Sequence, residues 1–172
     1  LGIGPEVVAK ALAMDGRNLG DYCVVGDRAV FMKAAEKENL SLSELTVVQP
    51  ADGEPVEVAA IRQSVQMIRQ GAGSALVTGP INKAKLAGQG FHHSGHTGFL
   101  GELCGVKNPV MAFVGDTHIR VALVTVHIPL SAVSSAVTQE LIEHTVLTAH
   151  QALQCDLGMN DPHLLVCGLN PH

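Results

Sequence analysis

Aromatic side chains are scarce: there is no tryptophan, one tyrosine and four phenylalanines, 3% of 172 residues. With 47% of the chain hydrophobic, the core must be built from aliphatic packing. A chain of this length buries a real core as one ordinary domain or as parts of two. Basic charge is also lacking. A formal net charge of −5 and a pI near 5.9 leave no surplus for a phosphate-backbone footprint, so no nucleic-acid partner is expected. No run of about 18 apolar residues exists to span a membrane. The N-terminus also lacks the basic-then-apolar order of a signal peptide, so a cytoplasmic protein is expected.

Paired cysteines are missing as well. Cys23, Cys104, Cys155 and Cys167 lie far apart with no CxxC spacing, which excludes a zinc ribbon or a disulfide scaffold and reads as small buried hydrophobes in a reducing compartment. Two glycine signatures are incomplete. "GIGPE" at Gly2–Glu6 has neither the third glycine nor the preceding strand of a dinucleotide fingerprint, and "TGPINK" at Thr78–Lys83 is not a Walker loop.

What is present is an alternation of short β-branched runs with longer helical patterns. "GIGPEVVAKALAM" enters a helix with Pro5 in its first turn and Glu6 beside its N-terminus. "YCVVGD", "LTVVQP", "SALVTGP", "PVMAFVGD", "RVALVTVH" and "LLVCGLN" read as strands, the fourth and fifth close enough to pair directly. "RAVFMKAAEKENL" and "PVEVAAIRQSVQMIRQG" read as helices. A third helical stretch runs from Leu130 to about Gln154, broken and re-capped at Thr138. Such alternation implies an α/β fold with a largely parallel sheet covered on both faces. A compact boundary is placed in the glycine-rich region Leu86–Gly95, giving a first α/β domain over 1–90 and a second over 91–172, both partial. The opening helix lacks its strand before Leu1 and the closing strand stops at His172, so a piece of a longer protein is expected.

Open α/β sheets bind ligands at the carboxyl ends of strands, and three strand exits here are polar: "VTGPINK", "VTVHIPL" and "GLNPH". They place Lys83, His127 and His172 where ligands bind. Neutral imidazole suits zinc and related divalent ions, but His127 and His172 are far beyond HxxxH spacing, and strand-end histidines bonded to backbone are the commoner case. Lys83 is either an acid/base group, an anion contact or simply solvated. In "FHHSGHTGFL" three histidines crowd into five positions, His92, His93 and His96. Here Ser94 or Thr97 caps a short helix with His96 exposed, or the helix N-terminus presents N–H groups, a hydroxyl and an imidazole to an anion. His118, His144, His150 and His163 receive no role.

"GIGPEV", "VTGPINK", "GHTGFL", "RVALVTVHIPL" and "CGLNPH", in this order and at these separations, resemble the 4-hydroxythreonine-4-phosphate dehydrogenase family of vitamin B6 biosynthesis. The resemblance implies an isocitrate/isopropylmalate dehydrogenase-like fold of two α/β domains, assembled as a homodimer, incomplete in this chain. It implies NAD or NADP bound without a Rossmann domain, and a divalent metal ion (Zn, Mg, Mn or Co) held by three histidines, two of which align with His127 and His172. His96 and Thr97 align with the family's substrate-binding pair. The family's third metal histidine, in an "HDQG" segment, and most of what holds the nicotinamide would lie beyond His172. Gly98 stands where the biosynthetic enzymes usually carry glutamate, which leaves room for another diol or sugar-acid phosphate as substrate. The reaction implied is metal-dependent oxidation of a phosphorylated four-carbon hydroxy acid followed by decarboxylation, with Lys83 as the proton-transfer candidate. Two other classes stay open: a catalytically incomplete piece, and a phosphate acyltransferase of related fold that needs no metal histidines.

Overall fold

The computed structural model describes residues 2–14, 18–89, 91–93, 95–115 and 119–170. Its elements run α1 (Gly4–Leu12), β1 (Cys23–Val25), α2 (Arg28–Lys37), β2 (Thr46–Val48), α3 (Val56–Arg69), α4 (Lys83–Ala87), α5 (His96–Cys104), β3 (Met111–Val114), β4 (Arg120–Leu123), α6 (Leu130–Ala136) and α7 (Gln139–Cys155). Contacts divide the chain into two compact units, Leu1–Lys107 and Asn108–His172, and the glycine-rich stretch at 86–95 lies inside the first.

In the first unit, β1 and β2 form a parallel pair with Val24 opposite Val47. The chain turns from β1 into α2 at Asp27, whose carboxylate accepts from Val30 N–H at 2.9 Å and so satisfies one orphan donor of the helix start. Arg28 then donates to the Val47 carbonyl at 3.0 Å, tying α2 to β2. One apolar cluster forms where α1 and α2 pack, around Ala9, Leu12, Phe31, Ala35 and Val47. α1 carries Pro5 in its first turn, Glu6 near its N-terminus and Lys10 near its C-terminus, all favourable to the helix start or its dipole. A second cluster gathers Val58 and Ile61 of α3 with Leu86, Phe91 and Phe99. The i, i+3 spacing of Val58 and Ile61, continued at Val65, puts the buried side chains on one face of α3.

In the second unit β3 and β4 pair antiparallel, Ala112 opposite Ala122, as their closeness in sequence requires. The helical stretch breaks after Ala136 and restarts at Gln139. Thr138 Oγ1 accepts from Leu141 N–H at 3.2 Å and caps the new start. His144 on α7 meets the Asn108 carbonyl through Nε2 at 2.7 Å.

Four expectations are corrected. The fold is α/β, but among the described residues the sheets are two-stranded, one parallel and one antiparallel, rather than a largely parallel sheet covered on both faces. "SALVTGP" and "LLVCGLN" are not strands: residues 75–80 and 164–169 carry no ladder, and Val77 and Leu165 are 93% and 95% exposed. A strand exists only where a neighbour presents its own N–H and C=O groups, and β propensity alone supplies none. All four cysteines are exposed and free rather than buried. At α5 the N-cap is Gly95 with no side-chain cap bond. Thr97 sits inside the helix, and Ser94 lies outside the described residues.

Candidate functional site

A cleft of about 380 Å³ opens in the first unit at the carboxyl end of β1. One wall is β1 and the turn Gly26–Asp27, another is α3 from Val56 to Ser64, and the extended segment 76–82 forms the third. Its apolar part includes Val8, Val24, Phe31 and Ile61, while Asn82, Lys85, Glu57 and His96 bring polar groups to it. This is the location expected for a ligand in α/β architecture.

The polar residues are placed by local chemistry. After Pro80 the chain reaches Asn82, whose side chain accepts from Lys85 N–H at 3.0 Å and starts α4. That turn sets Lys85 at the cleft, with Lys83 two residues earlier as the first residue of α4. Lys85 Nζ bonds Glu57 Oε1 at 2.9 Å. Burial pushes the Glu57 carboxyl up, but the Lys85 hydrogen bond, the residue's own backbone and the Lys85 charge together hold it below the ordinary value. Its other oxygen, Oε2, is buried with no hydrogen-bond partner among the described residues.

His96, the first residue of α5, is half-buried, not exposed, and its Nε2 is buried without a hydrogen-bond partner among the described residues. Burial, reinforced by the Lys83 ammonium, pulls its imidazole below the usual histidine range. The ring is therefore neutral near pH 7 and offers an unused nitrogen to a ligand. Thr97 follows in the first turn, half-buried.

The neighbouring histidine has a different fate. His93 packs against Phe91 and Phe99 with ring centroids 5.1 Å away in each case, and its Nε2 stands 3.4 Å from Glu102 Oε2. Phe91 and Phe99 meet edge to face at 5.2 Å, and the Arg62 guanidinium covers Phe99 at 5.4 Å. A smaller hollow of about 240 Å³ beside these rings is lined by Arg62, His92, His93 and Glu102.

Of the residues singled out in the sequence, the structure thus brings Lys83, His96 and Thr97 into one neighbourhood. His127 belongs to the second unit, past the end of β4. It is exposed and has φ of 57°, a left-handed conformation uncommon for a residue with a Cβ. His172 lies outside the described residues. Among those described, no group of three or more His, Cys, Asp or Glu is arranged to hold a metal ion. Sequence reasoning missed Glu57, Lys85 and Gly95. The Asn82-x-x-Lys85 capping pattern was readable, but nothing local pointed from Lys85 to a glutamate 28 positions earlier.

The family model described as pyridoxal phosphate biosynthetic protein PdxA matches residues 18–172. The chain is 37% identical over 197 aligned positions to a 4-hydroxythreonine-4-phosphate dehydrogenase of Acidithiobacillus ferrooxidans, covering 99% of this chain and 59% of the relative. It is 41% identical over 207 positions to a protein of the same name from Methylorubrum extorquens, with the same coverages, 99% and 59%. The crystal structure of a 4-hydroxythreonine-4-phosphate dehydrogenase from Burkholderia phymatum matches with a TM-score of 0.77 at 26% identity, over 99% of this chain and 60% of that one. The chain spans about three-fifths of the length of these relatives. No described helix is long and apolar enough to cross a membrane. With motif order, cleft position and similarity in agreement, the chain belongs to the pyridoxal phosphate biosynthetic protein family, PdxA.

Proposed function

We propose that this protein contributes the substrate-binding part of an NAD(P)-linked dehydrogenase acting on 4-phosphooxy-threonine or a related four-carbon hydroxy-acid phosphate. The observation that carries the reading is the buried, unpartnered Nε2 of His96, with Lys83 beside it and Thr97 next in the chain. A buried polar atom without a partner costs free energy, and a ligand group can relieve that cost. Neutral His96 and the Thr97 hydroxyl suit the hydroxyl of a substrate, with Lys83 beside them.

In the reaction the secondary alcohol loses its O–H proton and its C–H hydride and becomes a ketone. Lys83 is the candidate for taking the hydroxyl proton, while His96 orients that hydroxyl. NAD(P) supplies the hydride acceptor. The β-keto acid formed then loses carbon dioxide and gains a proton at the carbon left behind. His127 and His172 are proposed ligands of a divalent cation, which when bound would lower the alcohol pKa and orient its oxygen. The exposed His127 imidazole suits such an ion, and among the described residues it belongs to no group of three or more such ligands. The same family reading carries the two-domain isocitrate/isopropylmalate dehydrogenase-like fold, a homodimer and a cytoplasmic setting.

The test is steady-state NADH formation by the intact protein with phosphorylated four-carbon hydroxy acids and their unphosphorylated counterparts. Oxidation confined to phosphorylated substrates and lost in His96→Ala is expected. No oxidation of any phosphorylated substrate, or a fully active His96→Ala, would overturn the assignment.

A further inference from the structure

Gly95 is buried and has φ of 160°, an extended backbone open to any residue, so conformational freedom does not explain a glycine there. Space does. A Cβ at this position would stand 3.2 Å from both Cε and Nζ of Lys83, inside ordinary van der Waals contact. Lys83, at the start of α4, therefore lays its ammonium across the residue that precedes α5.

We propose that Gly95 is a positioning residue, whose missing side chain is the gap that lets the Lys83 ammonium reach the first turn of α5 and couple to His96. This rests on the reading of Lys83 and His96 as site residues and deepens it. No ion pair holds Lys83 in place among the described residues, and the N-terminus of α5 carries the positive end of the helix dipole. A methyl group at position 95 would thus crowd the Lys83 tip and push it away from the first turn of α5 by a few tenths of an ångström or more. The other charged groups at the cleft are differently engaged. Lys85 is paired with Glu57, and Asp27 caps α2. The cation acting on the His96 ring is accordingly Lys83.

The experiment is an NMR titration of the His96 imidazole in the intact protein without substrate, cofactor or metal. The proteins compared are the parent, Gly95→Ala, Lys83→Met, Lys83→Arg and the Gly95→Ala/Lys83→Met double variant. Lys83→Met should raise the His96 pKa, Gly95→Ala should raise it in the same direction, and the double variant should add nothing further. Lys83→Arg, which keeps the charge, should stay near the parent. A parent-like titration in Gly95→Ala, or in Lys83→Met, would overturn the proposal. Lys83 is exposed, so its variants leave the fold intact even if Gly95→Ala does not tolerate the methyl. No turnover is required, so failure here is distinguishable from failure of the dehydrogenase reading.

Discussion

Lys85 Nζ lies 2.9 Å from Glu57 Oε1, joining the first turns of α4 and α3 across 28 positions of sequence. The pair closes one side of the cleft, and its pH dependence has a definite sign. The Glu57 carboxyl is held below its ordinary value in the folded protein. Its stabilisation is therefore present above the unfolded-state pKa and is lost as pH falls through the folded one. Glu57→Gln should remove that acid-limb loss, at a cost of less than about 1 kcal/mol at neutral pH because Lys85 is half exposed. Urea midpoints of parent and variant at neutral and acid pH check this; identical acid dependence would contradict it.

Leu86 is fully buried and holds Phe91 and Phe99 against α3. Leu86→Ala should destabilise the first unit by about 2–5 kcal/mol through lost burial and a residual cavity. Chemical denaturation measures the effect, and a loss below about 1 kcal/mol would mean that the cluster is not the unit's core.

Thr97 and His127 should fail differently. Thr97→Val would remove the proposed substrate hydrogen bond, roughly 1–2 kcal/mol, and should mainly raise KM, roughly 5- to 30-fold. His127→Ala should abolish metal-dependent oxidation while leaving NAD binding nearly intact, since the imidazole is a proposed ligand of the cation that would orient the substrate oxygen. Steady-state kinetics with and without a chelator, together with cofactor titration, separate the two. Indifference of the parent to thorough chelation would remove the metal from the scheme.

The β3–β4 hairpin leaves Phe113 at 61% and Val114 at 59% exposure, and Leu165 and Val166 are also exposed. Exposed apolar sheet surface of this kind drives association. Sedimentation should find species larger than the 18.0 kDa monomer, shifted toward the monomer by Phe113→Lys. A stable monomer at all concentrations would show that this surface is not sticky.

The local devices were legible in the sequence because they act over a few residues. α2 and α3 follow from helical periodicity, the start of α1 from Pro5 and Glu6, and the β3–β4 pairing from the short connection between its strands. The restart of the helical stretch followed from Thr138, whose hydroxyl needs only the N–H three residues on. Family membership was carried the same way, by five short motifs in order. Only the tertiary structure decided the rest, because burial and pairing belong to neighbours distant in sequence. Residues 75–80 and 164–169 have strand composition but no partner edge among the described residues, and the cysteines have apolar character but are exposed. His93 and His96 are the same residue type three positions apart, yet the Phe91–Phe99 contact holds one ring while the cleft and Lys83 surround the other. Gly95 reads as a loop residue until the Lys83 side chain is seen lying over it, 12 positions away in the chain and 3.2 Å from where its Cβ would be.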